Sequence, residues 1–442
     1  MMGEVEPHAP TVPRQPGAAS RALWSAVDAA AMPVSTLATL AALVRALSAS
    51  DYGILVIALA ASGLSMAVNP AIAATTTKFV SELSAGRHPG GRTVAGVITV
   101  SLLTVAVIDL VLLLATAVFN QPLSVWVFGD SLARSRNVGE VLLLAVLAIG
   151  IQQVDTVLAA AIRGLERFRR QALIELLSRS ALTAVVIYVA GHGPSLESIL
   201  LAQCAVYLAS TLVRAIALRR LLPDQRLFEL SGRAHAGALF RYGGWMWLAA
   251  LAGVAYTSAD RIIVGRSLGA AAAGQYNIYV QITQLVHFIP TSVFAFSFPV
   301  FSRLAAQGNA RNLEIAQAYK TYSLAIAMTA LGIAAIMMVC WPFLLRIFAG
   351  AGSAGGQFGA PGLLTFNFLL LACNVAAYYL LLALGHARAV SMITTASMVA
   401  ALALMTFLIP RYGLQGAALA RLAYGIGALL LLRKAHRVLR CT

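Results

Sequence analysis

Long runs of apolar residues alternate along this chain with short polar segments. A helix needs about 20 apolar residues to cross the ~30 Å hydrocarbon core of a bilayer. About twelve runs have that length, at residues 22–44, 53–74, 93–118, 138–162, 171–191, 196–218, 238–260, 277–300, 318–342, 361–384, 389–410 and 413–432. The pattern therefore predicts an all-α polytopic membrane protein with about twelve transmembrane helices.

The second half of the chain repeats features of the first. Matching residues recur at offsets of 218 to 224: Tyr52 with Tyr276, Pro70 with Pro290, Ser81 and Leu83 with Ser302 and Leu304, Gly164 and Arg167 with Gly385 and Arg388, and Leu196 and Ala202 with Leu414 and Ala420. Structural repeats of this kind are common in membrane transporters. The repeat predicts two pseudo-symmetric lobes of six helices each.

Polar segments divide the chain into five parts. Residues 1–20 are rich in Pro and small residues and are predicted to be a disordered cytoplasmic tail. The N-terminal six-helix lobe is expected at 21–220, a cytoplasmic inter-lobe linker at 221–237, the C-terminal lobe at 238–434 and a basic cytoplasmic tail at 435–442. The tail begins with acidic residues, so the first apolar run is interpreted as a membrane span and not a signal peptide.

Composition supports a membrane protein and excludes an ordinary soluble one. Hydrophobic residues make up 60% of the chain, charged residues only 11%, and the mean hydropathy is +0.82. The net charge of +16 is distributed unevenly. With a cytoplasmic N-terminus, 23 of the 32 Lys and Arg residues, Arg214 included, fall on inward segments. This bias predicts a multi-pass membrane protein with both termini in the cytoplasm and no nucleic-acid partner.

One inward loop is especially basic, with Arg163, Arg167, Arg169 and Arg170 close together. The loop either only fixes the orientation of the chain or also attracts anionic membrane lipids. The four cysteines lack the spacing of a metal site. We expect no metal and no cofactor other than a coupling ion, H⁺ or Na⁺.

Charged side chains inside predicted spans are the first candidates for function, because burying a charge in a bilayer is costly. Asp155 and Arg179 are each about eight residues from the cytoplasmic end of their span, about 12 Å deep, so they are expected to pair. Glu175 lies four residues before Arg179, on the same helix face. A structural ion cluster and a ligand site are both open interpretations. Arg421 is a further charge within a span.

Basic residues also lie at corresponding ends of the two lobes. Arg45 lies at the outer end of the first predicted span, and Asp260, Arg261 and Arg266 flank the outer end of the seventh. A guanidinium group can donate two parallel hydrogen bonds to a phosphate. These four residues, with Arg179 and Arg421, are the predicted substrate-binding set at the cleft or its rim. The alternative is that they are ordinary interfacial arginines.

Two residues are candidates for ion or proton coupling. His287 lies mid-span among Gln281, Gln284 and Pro290, and its imidazole can titrate near neutral pH. Asp28 lies about six residues into the first span. A histidine satisfied within the core and an interhelical hydrogen bond are the respective alternatives.

Pro70 and Pro290 occupy corresponding positions in the second and eighth spans. Proline removes a helix hydrogen bond and clashes with the preceding turn, so each predicts a bend. Interruptions at equivalent positions of two repeats point to a binding site or a hinge. We therefore predict a hinge in each lobe, next to a central cleft.

Several short segments resemble one family. They are Leu47, Ser48, Asp51, Tyr52 and Gly53, the stretch from Asp260 to Gly265 continuing through Leu268, Gly269, Gly274 and Tyr276, and Phe298, Pro299, Ser302, Arg303 and Leu304. Together they look like the polysaccharide-biosynthesis flippases, the Wzx-type transporters of the multidrug/oligosaccharidyl-lipid/polysaccharide (MOP) superfamily. The resemblance covers essentially the whole chain, although none of these motifs is diagnostic alone. It implies a MATE-like fold.

The resemblance also implies a location, the bacterial inner (cytoplasmic) membrane, and a function. The expected substrate is an undecaprenyl-diphosphate-linked oligosaccharide, moved from the cytoplasmic to the periplasmic leaflet for surface polysaccharides such as the O-antigen of lipopolysaccharide. Polymerase or ligase machinery is an expected partner. A cation-coupled multidrug antiporter of the same superfamily is the nearest alternative, but the chain has only 16 acidic residues. A membrane glycan polymerase would need a sizeable outward loop, which the pattern lacks, so an enzyme is not expected.

Overall fold

The computed structural model describes residues 33–67, 69–84, 93–135, 137–222, 253–254, 256–294, 297–306, 312–349 and 359–441. Within these ranges the chain is helical and contains no strand. Eight helical segments are long and apolar enough to cross a membrane. The all-α polytopic prediction is confirmed, and the arrangement is consistent with twelve spans, although that count stays a prediction. Most of the N-terminal tail and linker predictions lie outside the described residues.

The N-terminal lobe is built from helices α1 to α9. They are α1 (Pro33–Ala46), α2 (Ala49–Gly63), α3 (Asn69–Ser84), α4 (Val94–Val118), α5 (Asn120–Phe128), α6 (Asp130–Ser135), α7 (Val138–Gly164), α8 (Phe168–Gly191) and α9 (Leu196–Leu221). The long helix α7 is central to the lobe, since α2, α3, α4, α8 and α9 all pack against it.

The C-terminal lobe is built from α10 to α17. They are α10 (256–268), α11 (Ala270–Thr283), α12 (Leu285–Val293), α13 (Ser297–Ala306), α14 (Asn312–Ala349), α15 (Gly359–Cys373), α16 (Val375–Ala383) and α17 (Ala387–Cys441). The predicted spans 389–410 and 413–432 both lie in α17, which kinks at Gly413, where φ is +55°. Helix α17 continues to Cys441 through the predicted basic tail.

Local sequence explains where several helices begin. The Ser48 side chain caps α2 by accepting a hydrogen bond from the backbone N–H of Asp51, at 3.1 Å. Ser195 and Ser198 form a reciprocal capping box at the start of α9. These caps satisfy backbone N–H groups that a helix N-terminus otherwise leaves without partners.

Each lobe contains a broken helix at its second predicted span. In the first, a 3-10 turn at Leu64–Ala67 separates α2 from α3. In the second, a turn at Gln284 separates α11 from α12. Pro70 and Pro290 follow these breaks, as the predicted bends require, because proline disrupts the turn that precedes it. Whether the breaks move as hinges stays a prediction.

The structure corrects the register of the repeat near its start. Helices α2 and α11 begin at Ala49 and Ala270, an offset of 221. Gly53 therefore corresponds to Gly274, and the predicted match of Tyr52 with Tyr276 is wrong. The tyrosines were misaligned because a shared aromatic residue is conspicuous in the sequence, whereas the capped helix start defines the register. The offset then agrees with the 221 found further along the chain.

The two lobes share one large apolar core. Ile54 and Ile57 of α2, Tyr276 and Ile282 of α11, and Trp341 of α14 belong to the same buried cluster. Many large apolar side chains instead face outward from the bundle, among them Val118 at 73% exposure and Val339 at 81%. Such a surface is what hydrocarbon chains of a lipid bilayer cover.

Candidate functional site at the lobe interface

Helix α2 of the N-terminal lobe lies against α10 and α11 of the C-terminal lobe, and we call this contact the α2 seam. Glycines permit the close approach: a Cβ on Gly53 would lie 1.8 Å from the Ala270 carbonyl oxygen. A Cβ on Gly265 would lie 2.4 Å from Cδ1 of Ile57. The seam is therefore a close backbone contact that larger residues at these positions would force apart.

Polar bonds also cross the α2 seam. The Asn277 side-chain amide donates to the Tyr52 hydroxyl at 2.7 Å, and Nε of Arg261 donates to Oδ1 of Asn277 at 2.7 Å. Arg266 donates to the backbone carbonyl of Trp126 on α5, at 2.5 Å. Two predicted rim residues, Arg261 and Arg266, are thus placed at the contact between the lobes.

Asp260 and Arg421 form an ion pair inside the C-terminal lobe. Their side chains are 0% and 2% exposed. The Tyr276 hydroxyl donates to Asp260 at 3.2 Å, and the guanidinium group lies 4.7 Å from the centre of the Tyr256 ring. The prediction that Asp260 flanks an outer helix end is wrong, because α10 continues eight residues beyond it, to residue 268. The buried Arg421 side chain pairs with the Asp260 carboxylate, so Asp260 can lie in the interior of α10 and not at its end.

A second buried charge network lies in the N-terminal lobe. Arg214, 1% exposed, forms ion pairs with Asp155 and Glu175 and donates to the Ser210 hydroxyl at 2.7 Å. Arg179 pairs with Glu175 at 2.7 Å, which confirms the predicted structural contact on α8. The predicted pairing of Asp155 with Arg179 is wrong, since Arg214 from α9 reaches Asp155 instead.

Arg214 was not among the predicted site residues, because it was counted with the cations of the inward segments. Its position within the predicted span 196–218 was the available signal, since a charge in a span needs partners. Tyr52 and Asn277 were also missed as lobe-bridging residues. Neither is ionisable near neutral pH, and only the fold brings residues 225 positions apart into contact.

The remaining predicted site residues are dispersed. Arg45 is exposed in the last turn of α1, at the position equivalent to Arg266 by the offset of 221. His287 is half-buried in α12, with its ring nitrogen 3.4 Å from the Thr291 hydroxyl. Asp28 lies outside the described residues. The structure thus brings Asp260 and Arg421 together and puts Arg261 and Arg266 at the α2 seam, but it does not gather all the predicted residues at one place.

A cavity of about 360 Å³ lies beside the start of α2. The charge bias predicts that this end of the helix faces outward. Its lining includes the carboxylates Asp51 and Glu197 together with Asn137 and Ser195. Two carboxylates disfavour an anionic ligand at this place. Within the described ranges, moreover, no group of three or more His, Cys, Asp or Glu side chains could hold a metal ion.

Comparison with solved structures identifies the fold. A MATE multidrug transporter, solved as a complex, matches with a TM-score of 0.71, 15% identity and coverage of 96% of this chain and 94% of that chain. An inward-facing MATE family transporter of the MOP superfamily gives 0.68, 16% and 95% of both chains. A MOP superfamily transporter from Pyrococcus furiosus gives 0.65, 14%, 96% and 94%.

Sequence comparison identifies the family. A putative O-antigen transporter from Shigella flexneri is 25% identical over 181 residues, which are 41% of this chain and only 42% of that relative's length. The family described as polysaccharide biosynthesis protein matches residues 20–305, well over half of the chain. This multi-pass membrane protein therefore belongs to the polysaccharide biosynthesis protein family and has the fold of the MOP superfamily transporters.

Proposed function

We propose that the protein is a flippase for an undecaprenyl-diphosphate-linked oligosaccharide, which it moves from the cytoplasmic to the periplasmic leaflet of a bacterial inner membrane. Family membership supports a role in polysaccharide biosynthesis, and the matched relative is named as a putative O-antigen transporter. A diphosphate and its sugars cross hydrocarbon at great cost unless polar groups replace their water. A protein pathway between two lobes supplies such groups.

The observation that carries this proposal is the pair of exposed arginines at equivalent positions of the two lobes. Arg45 ends α1, and Arg266 lies near the end of α10, where it also touches the N-terminal lobe through Trp126. Arginine remains charged when it is partly dehydrated, and it suits phosphate geometry. In the predicted orientation both groups lie at periplasmic helix ends, so they provide basic contacts for the anionic headgroup as it leaves the pathway, while the lipid tail stays in the bilayer.

Alternating access follows from the way the lobes meet. With both termini in the cytoplasm, α2 starts at the periplasmic side and the α2 seam closes that side of the molecule. Opening the seam by rocking one lobe against the other would expose the cargo to the periplasm. The buried ion pairs Arg421–Asp260 and Arg214–Asp155 lie within single lobes, so each lobe can move as a rigid body.

A deletion strain tests the proposal. We expect lipid-linked repeat units to accumulate on the cytoplasmic side, and expression of Arg45→Ala or Arg266→Ala to restore export less well than wild type does. Arg134→Ala is the matched control, because Arg134 is exposed and forms its ion pair with Asp130, four residues earlier on the same helix, at 3.3 Å. Normal periplasmic glycan in the deletion strain contradicts the proposal. Any polymerase or ligase partner would act on the product of this step.

A cation-coupled multidrug antiporter is the second candidate, because the matched structures include MATE multidrug transporters. It predicts drug sensitivity in the deletion strain with normal surface glycan. The flippase predicts the reverse pattern, so the same strain separates the two functions.

A further inference from the structure

A polar cluster surrounds the break between α2 and α3, within the N-terminal lobe. The Gln153 side-chain amide on α7 donates to Oδ1 of Asp109 on α4 at 2.6 Å and to the Ser65 hydroxyl in the 3-10 turn at 3.1 Å. The Asn69 amide, at the first residue of α3, donates to the Gln153 backbone carbonyl at 3.4 Å. Four elements thus meet at one set of hydrogen bonds.

Two oxygen atoms in this cluster lack a donor. Oδ2 of Asp109 and Oδ1 of Asn69 are both buried and have no hydrogen-bond partner among the described residues. Asn69 is 1% exposed and Gln153 2%. Burying acceptors without hydrogen-bond partners is costly in an apolar medium. A cation bound at the carboxyl group would give Oδ2 of Asp109 the partner that it lacks.

The cluster lies deep within the predicted membrane. Asp109 is 15 residues from the start of α4 and nine from its end, about 22 and 14 Å along the helix. Gly150 of α7 provides space for the carboxylate, since a Cβ there would lie 3.4 Å from Cγ of Asp109. The carboxyl group is therefore placed against α7 near mid-span.

Asp109 differs from the other buried acids in having no ion-pair partner within the described ranges. Asp155 and Glu175 share Arg214, and Asp260 holds Arg421. The charged groups on the helices packed against α4 are Lys78 and Glu82 of α3 and Glu140, Asp155 and Arg163 of α7, whereas α5 carries none. All except Asp155 are at least nine residues, about 13 Å along their helix, from Asn69 or Gln153.

We propose that Asp109, Asn69, Ser65 and Gln153 form a site for a small monovalent cation, H⁺ or Na⁺, at the break between α2 and α3. Either cation provides a partner for Oδ2 of Asp109: a proton makes the carboxyl group a hydrogen-bond donor, and Na⁺ accepts oxygen ligands directly. No covalent chemistry is required. The site differs from Asp28 and His287, the residues predicted from the sequence.

The position of the site connects it to the α2 seam. Ser65 directly follows the same α2 helix whose residue Gly53 touches Ala270, about 18 Å away along the axis. Cation binding fixes the turn at Leu64–Ala67 and with it the angle between α2 and α3. Occupancy then favours one arrangement of the lobes over the other. As a coupling device for transport, the site rests on the proposed flippase function.

Infrared difference spectroscopy on the full-length protein in liposomes tests the site directly. In Na⁺-free buffer, we expect the carbonyl band of a protonated carboxylic acid at acidic pH and its loss on alkalinisation. Asp109→Asn should remove this band, Asp109→Glu should retain a shifted one, and Asp130→Asn, which changes an exposed acid, should leave it intact. Loss of the band on adding Na⁺ at constant pH identifies Na⁺ as a competing ligand, and an unaffected band identifies a proton site.

A second readout follows the lobes. Spin labels on Ala49→Cys and Ala271→Cys, at exposed positions beside the seam, report the inter-lobe distance after the native cysteines are replaced. We expect acid or Na⁺ to shift this distance in wild type and in Asp130→Asn, and Asp109→Asn to abolish the shift. The absence of both an Asp109-dependent band and any Na⁺ effect on the wild-type protein overturns the proposal.

Both measurements are made without any glycan substrate, so they test the cation site separately from the flippase function. A cation site without glycan export in the host would contradict the flippase and leave the site intact. Normal export by Asp109→Asn, with neither a band nor a Na⁺ effect in the wild type, would contradict the site and leave the flippase intact.

Discussion

Replacing Gly53 with alanine adds a methyl group to the α2 seam, where there is no space for it. The new Cβ would lie 1.8 Å from the Ala270 carbonyl oxygen and 2.3 Å from its carbon. Contacts of this kind require at least about 3 Å, so α2 and α11 must separate by more than about 1 Å. The obstacle is backbone, which cannot rotate away as a side chain can.

The expected cost is that of overpacking a close contact, about 1–3 kcal/mol. This cost applies only while the lobes are joined. The ratio of joined to separated lobes should therefore fall about 5-fold to 150-fold, since about 1.4 kcal/mol changes a population ratio tenfold. Gly274→Ala should have a smaller effect, because its Cβ would meet the Tyr52 ring at 2.9 Å and that ring can shift.

Spin-label distances between Ala49→Cys and Ala271→Cys measure this ratio. Gly332→Ala, in the middle of α14, is the matched control, because its Cβ would enter open space. The expected order of effect is Gly53→Ala, then Gly274→Ala, then Gly332→Ala. A distance distribution for Gly53→Ala equal to that of the control would refute the argument from close packing.

Three further predictions concern buried polar groups. Arg214→Leu leaves Asp155 without a cation and Glu175 with Arg179 alone, and should cost about 3–5 kcal/mol, seen as a lower unfolding temperature in detergent, whereas the exposed Arg220→Leu should change little. Arg421→Gln should cost a similar amount in the C-terminal lobe, and an unchanged unfolding temperature would contradict the buried pair. Tyr52→Phe removes the acceptor for Asn277 and should weaken the α2 seam by about 0.5–1.5 kcal/mol, an effect that spin-label distances would detect.

The fold class could be predicted because each membrane span can be identified from the length and hydropathy of its own segment of sequence. A run such as 93–118 needs no partner to be identified, and the described helix α4 covers residues 94–118. Broken helices were also predictable, since Pro70 and Pro290 impose a local cost wherever they lie. The apolar runs therefore predicted the helices, and the prolines predicted where two of these helices are interrupted.

Partnerships between distant residues could not be predicted in the same way. Asp155 had two arginines within reach by depth, Arg179 and Arg214, and depth alone does not say which helix face each occupies. The bond between Tyr52 and Asn277 depends on the rotation of α2 against α11. Rotation and packing are set by tertiary contacts that a span-by-span analysis does not contain.

Gly53 and Gly274, which are equivalent in the repeat, lie side by side, with a Cβ on Gly274 3.2 Å from the Gly53 backbone nitrogen. Equivalent residues can touch in this way only near the axis that relates the two halves. Since each lobe is predicted to have an even number of spans, both lobes share one orientation, and that axis runs along the membrane normal. Two copies of a single lobe related by such an axis would bring this glycine against its own copy, which is the geometry of a twofold interface, so the α2 seam has the symmetry of a contact between identical units.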